Sequence, residues 1–539
     1  MTDKSTGRMQ KAGSNTLPII AMFLLFAMIS FVTNLAAPIG TIWANTYQGN
    51  SFLGMLGNMM NFLAYLCMGV PAGKLIVKIG YKKTALWAMA IGIIGLFVQW
   101  MSSVVGTDIS IHQGTASVFE DLAGKETEVI RHFNVTLNFI IYLLGAFICG
   151  FCVCMLNTVA NPMLNTLGGG GNKGNQLLQT GASFNSLSGA LTPFLVGALI
   201  GQLTRETTIS TVSPLLFIAM GVFVVSFLII LFVNIPESND SVGAKKKFRH
   251  SPWSFRHTVL GIIGIFIYVG IEVGIPGTLN FFLADQKSTG AGIVGDASTI
   301  AGAIVAIYWL LMLVGRLCSS AISSKVSTRA QLMTVTGIGA VLVSAAICIP
   351  TTVRIEVPSM IYDSADSVRS TLVQAGMPEE KILEFFSNPS ADKLDKYTVN
   401  EELELKNGSN ATRRLISNSE KQPHQIVNAV NAKPTVPLSA LLLILCGLCT
   451  SLMWGAIFNL AVEGLGVYTA QASGLFMMMV VGGGVLPLIQ TWIAGQAGYM
   501  VSYWLIVGGL LYLLYYALSG SKNVNPEIPV DENDPQLYL

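Results

Sequence analysis

Apolar runs long enough to cross a bilayer recur along nearly the whole chain, and no other feature limits the possible folds as strongly. A bilayer core of about 30 Å requires roughly 20 apolar helical residues. Twelve runs reach that length, at about 17–40, 51–73, 84–105, 134–163, 177–203, 214–234, 257–283, 298–322, 331–350, 436–462, 470–495 and 500–519. They are too long and too continuously apolar for barrel strands, so the sequence predicts an all-α membrane protein with twelve transmembrane helices.

The charge balance supports this class. Charged residues make up 11% of the chain, against about 25% in soluble domains. The net charge is +2, so nothing indicates a nucleic-acid partner, and the expected surroundings are a lipid bilayer. The first run follows Lys4, Arg8 and Lys11 but is longer than the apolar core of a signal peptide, which predicts a retained first span.

The distribution of lysine and arginine predicts the orientation. With the N-terminus in the cytoplasm, the cytoplasmic loops receive most of the basic residues, including Lys74, Lys78, Lys82, Lys83 and the run over 245–249. Cytoplasmic loops of membrane proteins carry such an excess of positive charge. Both termini of a multi-pass cell-membrane protein are therefore predicted to be cytoplasmic.

A polar, basic segment divides the chain into two sets of six runs. Gly189-x-x-x-Pro193 in the fifth run matches Gly483-x-x-x-Pro487 in the eleventh, which supports a duplication. The predicted organisation is an N-terminal six-helix bundle over 1–235, a cytoplasmic linker over 236–256, a C-terminal six-helix bundle over 257–520 and a cytoplasmic tail over 521–539. Two repeated halves with a site between them are typical of secondary carriers.

Two connections are longer than the others. Residues 106–133 are predicted to form a modest external loop. Residues 351–435 are predicted to be an extracytoplasmic insertion in the second bundle, partly ordered, with helix-like pieces at Ser364–Ala375 and Pro378–Asn388. This insertion offers a binding surface for a partner outside the membrane.

Polar residues recur on single faces of the predicted spans. Because helical residues three or four apart share a face, each of the following sets points one way: Ser30 and Asn34; Asn58, Asn61 and Tyr65; Asn157 and Asn161; Tyr268, Glu272 and Asn280; Trp454 and Phe458. The fifth span also carries Gln179 and Asn185. Amides donate and accept hydrogen bonds, as a neutral polyhydroxylated ligand requires. The alternative is that they join helices through hydrogen bonds of roughly 0.6–2 kcal/mol each.

Glu272 lies in the middle of the seventh run. A carboxylate at that depth is costly and usually faces a cavity or partner on a transport path; the alternative is a buried structural acid. Pro276 removes a backbone hydrogen bond just beyond it, and such a kink exposes carbonyl groups. Arg316 is predicted to latch a neighbouring helix end, in a structural or gating role.

No catalytic or metal-binding set is visible in the sequence. Cys149, Cys152 and Cys154 lie in one span without a nearby histidine, which favours packing. The glycines at 168–171 follow no strand and precede no Gly-Lys-Ser/Thr, so they do not form a phosphate-binding loop. The sequence predicts a protein that is not an enzyme, uses no cofactor and would need ion coupling to pump.

Several short motifs, in order and in their spacing to the spans, resemble the fucose–proton symporter family of the major facilitator superfamily. They are Pro71-Ala72-Gly73 through Gly80-Tyr81-Lys82, Ala160-Asn161-Pro162, Phe184-Asn185-Ser186, Tyr268-Val269-Gly270 with Glu272, Gly315-Arg316, and Gly482-Gly483-Gly484 with Pro487. The resemblance spans both halves and omits 351–435. The form of the seventh span looks closer to the glucose/galactose branch.

The chain also departs from that family. Ala37 stands where the family has an Asp in span one, Asn157 where it has a Glu in span four, and Ala182 where it has a Gln in span five. The resemblance would assign proton coupling and sugar binding to the two missing acids. Glu272 remains as the proposed coupling or ligand-orienting acid.

The resemblance implies the major facilitator fold, a bacterial inner membrane and alternating access. The predicted function is secondary active transport of a hexose-like sugar or related small solute, coupled to a proton or sodium ion through Glu272. The predicted ligand-binding residues are Asn34, Asn157, Asn161, Asn185, Tyr268, Glu272 and Asn280, and the predicted gating residues are Lys74, Lys78, Lys82, Lys83 and Arg316. The alternatives are a carrier of a non-sugar solute such as a peptidoglycan fragment, and a transport-inactive binding or sensing protein that uses 351–435.

Overall fold

Long helices dominate the structure. The computed structural model describes residues 16–47, 51–122, 124–168, 171–200, 207–233, 249–285, 290–293, 297–322, 325–359, 361–419, 421–431 and 433–530. Within these ranges eleven helices are long and apolar enough to cross a membrane, by length and composition. A further helix, Gly171–Ile200, lies between the fourth and fifth of these eleven and corresponds to the remaining predicted span.

Some predicted features lie outside the described residues. These are Lys4, Arg8, Lys11, most of the predicted linker (236–248) and the end of the predicted tail (531–539). The prediction that both termini are cytoplasmic stays a prediction.

Six α-helices lie in the described part of the N-terminal half. They are α1 (Thr16–Thr46), α2 (Ser51–Ile79), α3 (Tyr81–Met101), α4 (Leu137–Leu167), α5 (Gly171–Ile200) and α6 (Ser213–Phe232). Small residues let these helices approach closely, as is common in membrane bundles. A Cβ at Gly145 of α4 would lie 2.6 Å from the backbone nitrogen of Gln99 in α3. Helices α3 and α4 therefore pack backbone against backbone at this point.

The residues described in the C-terminal half include six spans, and three of these are interrupted. Its helices are α7 (Arg256–Ala284), α8 (Ala297–Ile322), α9 (Thr328–Cys348), α13 (Leu438–Thr450) with α14 (Met453–Val462), α15 (Thr469–Met479) with α16 (Gly482–Ala497), and α17 (Tyr499–Ser502) with α18 (Trp504–Tyr515). Irregular backbone at membrane depth is tolerated where protein or a cavity satisfies it. The break at Ser451 and Leu452 is satisfied in this way, as described below.

The connections between α3 and α4 and between α9 and α13 fold together. They form strands β1 (Ser110–Leu122), β2 (Lys125–Thr136), β3 (Arg354–Glu356), β4 (Thr398–Leu405), β5 (Asn410–Ile416) and β6 (Thr435–Pro437), and helices α10 (Ser364–Gln374), α11 (Glu379–Ser387) and α12 (Pro423–Asn431). Strands β1, β2, β4 and β5 make one antiparallel sheet in that order, and β3 pairs with β6.

This extramembrane unit has its own apolar core. Leu372, Ile382, Phe385, Leu394 and Ile416 are fully buried in it. Helices α10 and α11 lie where the sequence predicts helix-like pieces. The prediction that 106–133 is a modest loop is wrong, because strands β1 and β2 pair along twelve positions of this segment.

Two ends of the bundle are distinguished below. The basic end is where α2 leads into α3 and α8 leads toward α9, and it carries Lys74, Lys78, Lys82 and Lys83. Lys74, Lys78 and Lys83 are exposed, and Lys82 is half-buried. The sheet end is the opposite one, from which the strands β1 and β2 leave α3 and enter α4.

Candidate functional site

Two of the helix pairs that join the halves make close contacts near the basic end. Helix α2 packs on α15 so closely that a Cβ at Gly69 would lie 2.6 Å from the Met478 nitrogen and 2.8 Å from the Gly474 oxygen. Helix α5 packs on α8, where the Thr180 and Ser320 hydroxyls are 3.2 Å apart. The structure is therefore closed between the halves at the basic end.

Closer to the middle of the helices, polar side chains from both halves form one connected group. Asn157 donates its amide to the Tyr65 hydroxyl at 2.8 Å, and Asn161 donates to the Asn157 carbonyl at 2.8 Å. The indole nitrogen of Trp454, from the other half, donates to the Asn161 side chain at 3.3 Å. The Tyr268 ring lies 6.2 Å from the Trp454 ring. We call these five residues the amide–aromatic cluster.

A second group of contacts surrounds Glu272, one helical turn after Tyr268. The Arg316 guanidinium donates to the Glu272 carboxylate at 3.1 Å. It also donates to the Ala182 carbonyl and the Ser186 hydroxyl of α5, both at 2.7 Å. Its third nitrogen donates to the Ser451 carbonyl at 3.2 Å, where the tenth span is interrupted.

These contacts make Arg316 a cross-link between the halves. The side chain of Arg316 is 7% exposed and that of Glu272 is 16% exposed. Guanidinium groups present five donors in a fixed fork, which suits simultaneous binding of a carboxylate and several backbone oxygens. Arg316 thereby ties α8 and the broken span of its own half to α5 of the other.

A neighbouring tyrosine bonds the carbonyl that loses its backbone partner at the predicted kink after Glu272. Pro276 lacks the amide hydrogen that would bond the Glu272 carbonyl four residues earlier. The Tyr308 hydroxyl of α8 lies 3.3 Å from that carbonyl and 3.0 Å from the Thr450 hydroxyl. The Tyr308 hydroxyl therefore takes the place of the backbone hydrogen bond that the Glu272 carbonyl lacks.

The remaining predicted ligand-binding residues lie apart from these groups. Asn34 donates to the carbonyl and hydroxyl of Ser30 within its own helix, at 2.8 and 3.0 Å. It faces α5, since a Cβ at Gly189 would lie 3.0 Å from its nitrogen. Asn185 and Asn280 are half-buried. Of the seven predicted residues, the structure brings Asn157, Asn161, Tyr268 and Glu272 together.

Several residues of the site were not among the predicted ones. Tyr65 and Trp454 share helical faces with the polar residues, so the periodicity contained a signal for them. Ser186 directly follows Asn185 in a motif already noted. Tyr308 and the carbonyls of Ala182 and Ser451 carried no such signal, because which backbone oxygen meets Arg316 depends on how the helices pack.

The Gly69 contact gives a testable expectation. Gly69→Val would push the backbones of α2 and α15 apart, because the contact atoms are main-chain atoms that cannot rotate away. We expect the variant to favour conformations open at the basic end. Spin labels at Lys78 and Lys325, in a background with Cys67, Cys318 and Cys348 replaced by serine, should show longer distances.

The matched control is Gly221→Val in α6, since a Cβ there meets no atom within 4 Å. It should leave the label distances unchanged. An unaltered distance distribution in Gly69→Val would contradict the view that this contact closes the basic end.

The chain is similar to known proteins over most of its length. The family model described as Major Facilitator Superfamily matches residues 19–365. A glucose/galactose transporter of Brucella abortus is 24% identical over 512 residues, covering 94% of each chain. A putative glucose/galactose transporter of Helicobacter pylori strain J99 is 24% identical over 530 residues, covering 95% of this chain and 99% of that protein.

Solved structures share the fold. The fucose:proton symporter of E. coli matches with a TM-score of 0.58 and 15% identity, covering 95% of this chain and 100% of that one. Another crystal structure of that transporter, in its outward conformation, gives a TM-score of 0.60 with 15% identity, covering 94% and 99%. At this identity the likeness concerns the fold alone.

Proposed function

The chain belongs to the major facilitator superfamily, and we propose that it moves a hexose-like sugar across the membrane by alternating access. The observation that carries the proposal is the amide–aromatic cluster, which both halves build between them. A site at that position is exposed to one side or the other as the halves rock. The names of the Brucella and Helicobacter relatives support a sugar as the solute.

The chemistry of the cluster suits a sugar. Asn157 and Asn161 offer amide donors and acceptors, which match hydroxyl groups that also donate and accept. The rings of Trp454 and Tyr268 offer apolar faces with a polar edge. No group of the cluster is charged, so the expected ligand is neutral. Asn34, Asn185 and Asn280 would contact a bound solute after side-chain or helix movement.

The second group supplies a candidate coupling device. Glu272 and Arg316 form an ion pair next to the cluster, and Arg316 also bonds α5 across the interface. Binding of a cation by Glu272 would weaken its attraction for Arg316 and so leave Arg316 freer to change its contacts with α5. In this proposal Glu272 carries the coupling ion, Arg316 transmits its arrival, and the four lysines Lys74, Lys78, Lys82 and Lys83 brace the closed basic end.

Asn157→Ala tests the cluster directly. The substitution removes the amide that bonds Tyr65 and adjoins Asn161, without placing a charge or a larger group in the interface. We expect solute affinity to fall about tenfold, a loss of roughly 1.4 kcal/mol. The measurement is the half-saturating concentration for uptake into proteoliposomes.

Asn400→Ala, on the exposed side of β4, is the matched control and should leave that value unchanged. If Asn157→Ala bound and transported the solute like the native protein, the cluster would not be the binding site.

A solute panel separates a sugar from another ligand. Purified protein would be heated with glucose, galactose, fucose, amino acids and a muramyl peptide, since a ligand that binds the native state raises its melting temperature. The proposal expects a concentration-dependent rise with a hexose. A rise with the muramyl peptide alone would favour the rival reading of a peptidoglycan-fragment carrier.

The folded extramembrane unit favours a second candidate, a binding or sensing protein without transport. Its four-stranded sheet and separate core form a stable surface outside the membrane. Deleting the insertion separates the two candidates. A transporter should retain solute flux, whereas a sensor should lose capture of its extracytoplasmic partner and show no flux in either form.

A further inference from the structure

The extramembrane sheet is built from both halves of the protein. Strands β1 and β2 belong to the N-terminal half, and β4 and β5 belong to the insertion of the C-terminal half. The seam between them is the antiparallel pairing of β2 with β4, at Val129 with Leu405 and Ile130 with Glu404. The Lys406 amide extends it by donating to the Glu128 carbonyl at 3.2 Å.

Four charged side chains close the seam. Arg131 bonds Glu120 of its own half at 2.9 and 3.0 Å and Glu401 of the other half at 2.8 Å. Arg413 in turn bonds Glu401 at 2.6 Å and pairs with Glu120 across the seam. Glu120 and Arg413 are 6% and 7% exposed. Two ion pairs therefore cross between the halves at a largely buried position.

The electrostatics of Glu401 fit this arrangement. Burial alone would raise its pKa, but the hydrogen bonds from Arg131 and Arg413 outweigh that effect and leave the pKa lowered. The carboxylate is thus held in its charged form by arginines from both halves. Polar contacts at the edge of the sheet add to the seam, with His424 bonding Asp121 at 2.8 Å and Gln422 donating to the Asp121 carbonyl at 2.6 Å.

One side of the sheet continues directly into a membrane helix, and the other is joined to α9 and α13 through the separate two-stranded sheet of β3 and β6. Strand β2 ends at Thr136 and α4 begins at Leu137, so no linker separates them. On the other side, β3 and β6 pair directly above α9 and α13, and the Leu438 amide donates to the Val353 carbonyl at 2.9 Å. Arg354 of β3 also binds the connection after α7, because its guanidinium donates to the Ala291 carbonyl at 2.7 Å.

We propose that the shared sheet is a strap that ties the two halves at the sheet end and limits how far they separate there. The helix contacts described above close the basic end, and in alternating access the halves separate at the opposite end while the basic end is closed. Because β2 runs straight into α4, separation of the halves at this end would pull on the seam between β2 and β4 and on the connections from β4 and β5 to β3 and β6. This role holds whichever solute the protein carries.

Distance measurements on purified protein test the strap without any solute. Spin labels at Val104, which follows α3, and at Thr351, which follows α9, report separation at the sheet end; both positions are exposed. The background again carries serine at Cys67, Cys318 and Cys348. The key variant replaces residues 113–133 by a short Gly-Ser turn, which removes the strand that pairs with β4.

We expect the deletion to lengthen and broaden the distribution of distances between the labels at Val104 and Thr351. Arg131→Gln with Arg413→Gln, which keeps the strands but removes both crossing ion pairs, should shift it in the same direction by less. Ile130→Cys with Glu404→Cys, oxidised to a disulfide across the seam, should leave it at the native value or narrow it. Lys433→Gln removes an exposed pair within the C-terminal half and should have no effect.

A native distance distribution in the deletion variant would overturn the proposal. The double glutamine variant keeps the test decisive if the deletion does not fold, because an unchanged distribution there would also overturn it. The distances are measured without solute and without transport. Failure of the strap proposal can therefore be distinguished from failure of the proposed sugar transport.

Discussion

Glu272→Gln is expected to abolish ion-driven accumulation of the solute while sparing solute exchange. Glutamine has nearly the same shape and can still accept a hydrogen bond from Arg316, but it carries no charge to exchange for an ion. We expect accumulation in proteoliposomes with an imposed ion gradient to fall at least about tenfold, and counterflow to stay within about threefold, a change under 1 kcal/mol.

The matched control for this variant is Glu379→Gln. Glu379 pairs with Arg369 on the exposed surface of the extramembrane unit, so its loss should change neither activity. Accumulation that survives in Glu272→Gln would reject the coupling role. Loss of accumulation and exchange together would instead assign Glu272 to ligand binding or to the folding of the interface.

Arg316→Gln is expected to destabilise the protein and to stop transport. The substitution leaves the Glu272 carboxylate without its partner at a position that is 16% exposed. Removing one member of a buried ion pair typically costs about 3–5 kcal/mol. It also releases Ala182 and Ser186 of α5 from the other half. We expect a lower melting temperature and solute exchange reduced more than tenfold, equivalent to about 1.4 kcal/mol.

Two further variants test whether the lost contacts of Arg316 cause the expected loss of stability and exchange. Arg316→Lys keeps the charge but places its three donors on one nitrogen, which cannot reach Glu272, α5 and Ser451 at once, so its defect should be intermediate. Arg316→Gln combined with Glu272→Gln removes the orphaned acid and should recover part of the stability. In a double-mutant cycle the coupling energy should be about 0.5–3 kcal/mol, and additivity within about 0.3 kcal/mol would contradict a direct interaction.

The overall class of the protein could be read from the sequence. Run length and continuous hydropathy predict membrane helices because lipid forces the backbone to satisfy its own hydrogen bonds. The twelve-span fold and the resemblance to sugar porters of this superfamily are confirmed. Glu272 and Arg316 stood out because a charge inside a span is expensive, although their pairing depends on helix packing that the sequence does not display.

The extramembrane part was predicted less well. Strand pairing of β1 and β2 was missed because their polar and apolar residues alternate weakly, as in Ser110–Leu122. The join between this hairpin and β4 links residues about 270 positions apart, through Arg131 and Glu401. Such a contact leaves no periodic trace in either segment.

The amide residues show a similar limit. Helical spacing placed Asn157 and Asn161 on one face, and the structure joins them to Trp454. The same reasoning selected Asn34, whose amide instead bonds Ser30 within its own helix. Periodicity indicates which side chains share a face, whereas the partner that each one finds depends on the neighbouring helix. The ligand-binding and gating roles stay predictions.

Counterflow of labelled hexose tests the central claim most directly. Purified protein in liposomes loaded with unlabelled glucose or galactose would be diluted into a trace of the labelled sugar, which needs no ion gradient. Alternating access through a sugar site predicts a transient, saturable influx that the unlabelled sugar outside suppresses and that Asn157→Ala weakens. Influx no greater than in protein-free liposomes, for both sugars and with correctly folded protein, would contradict the account.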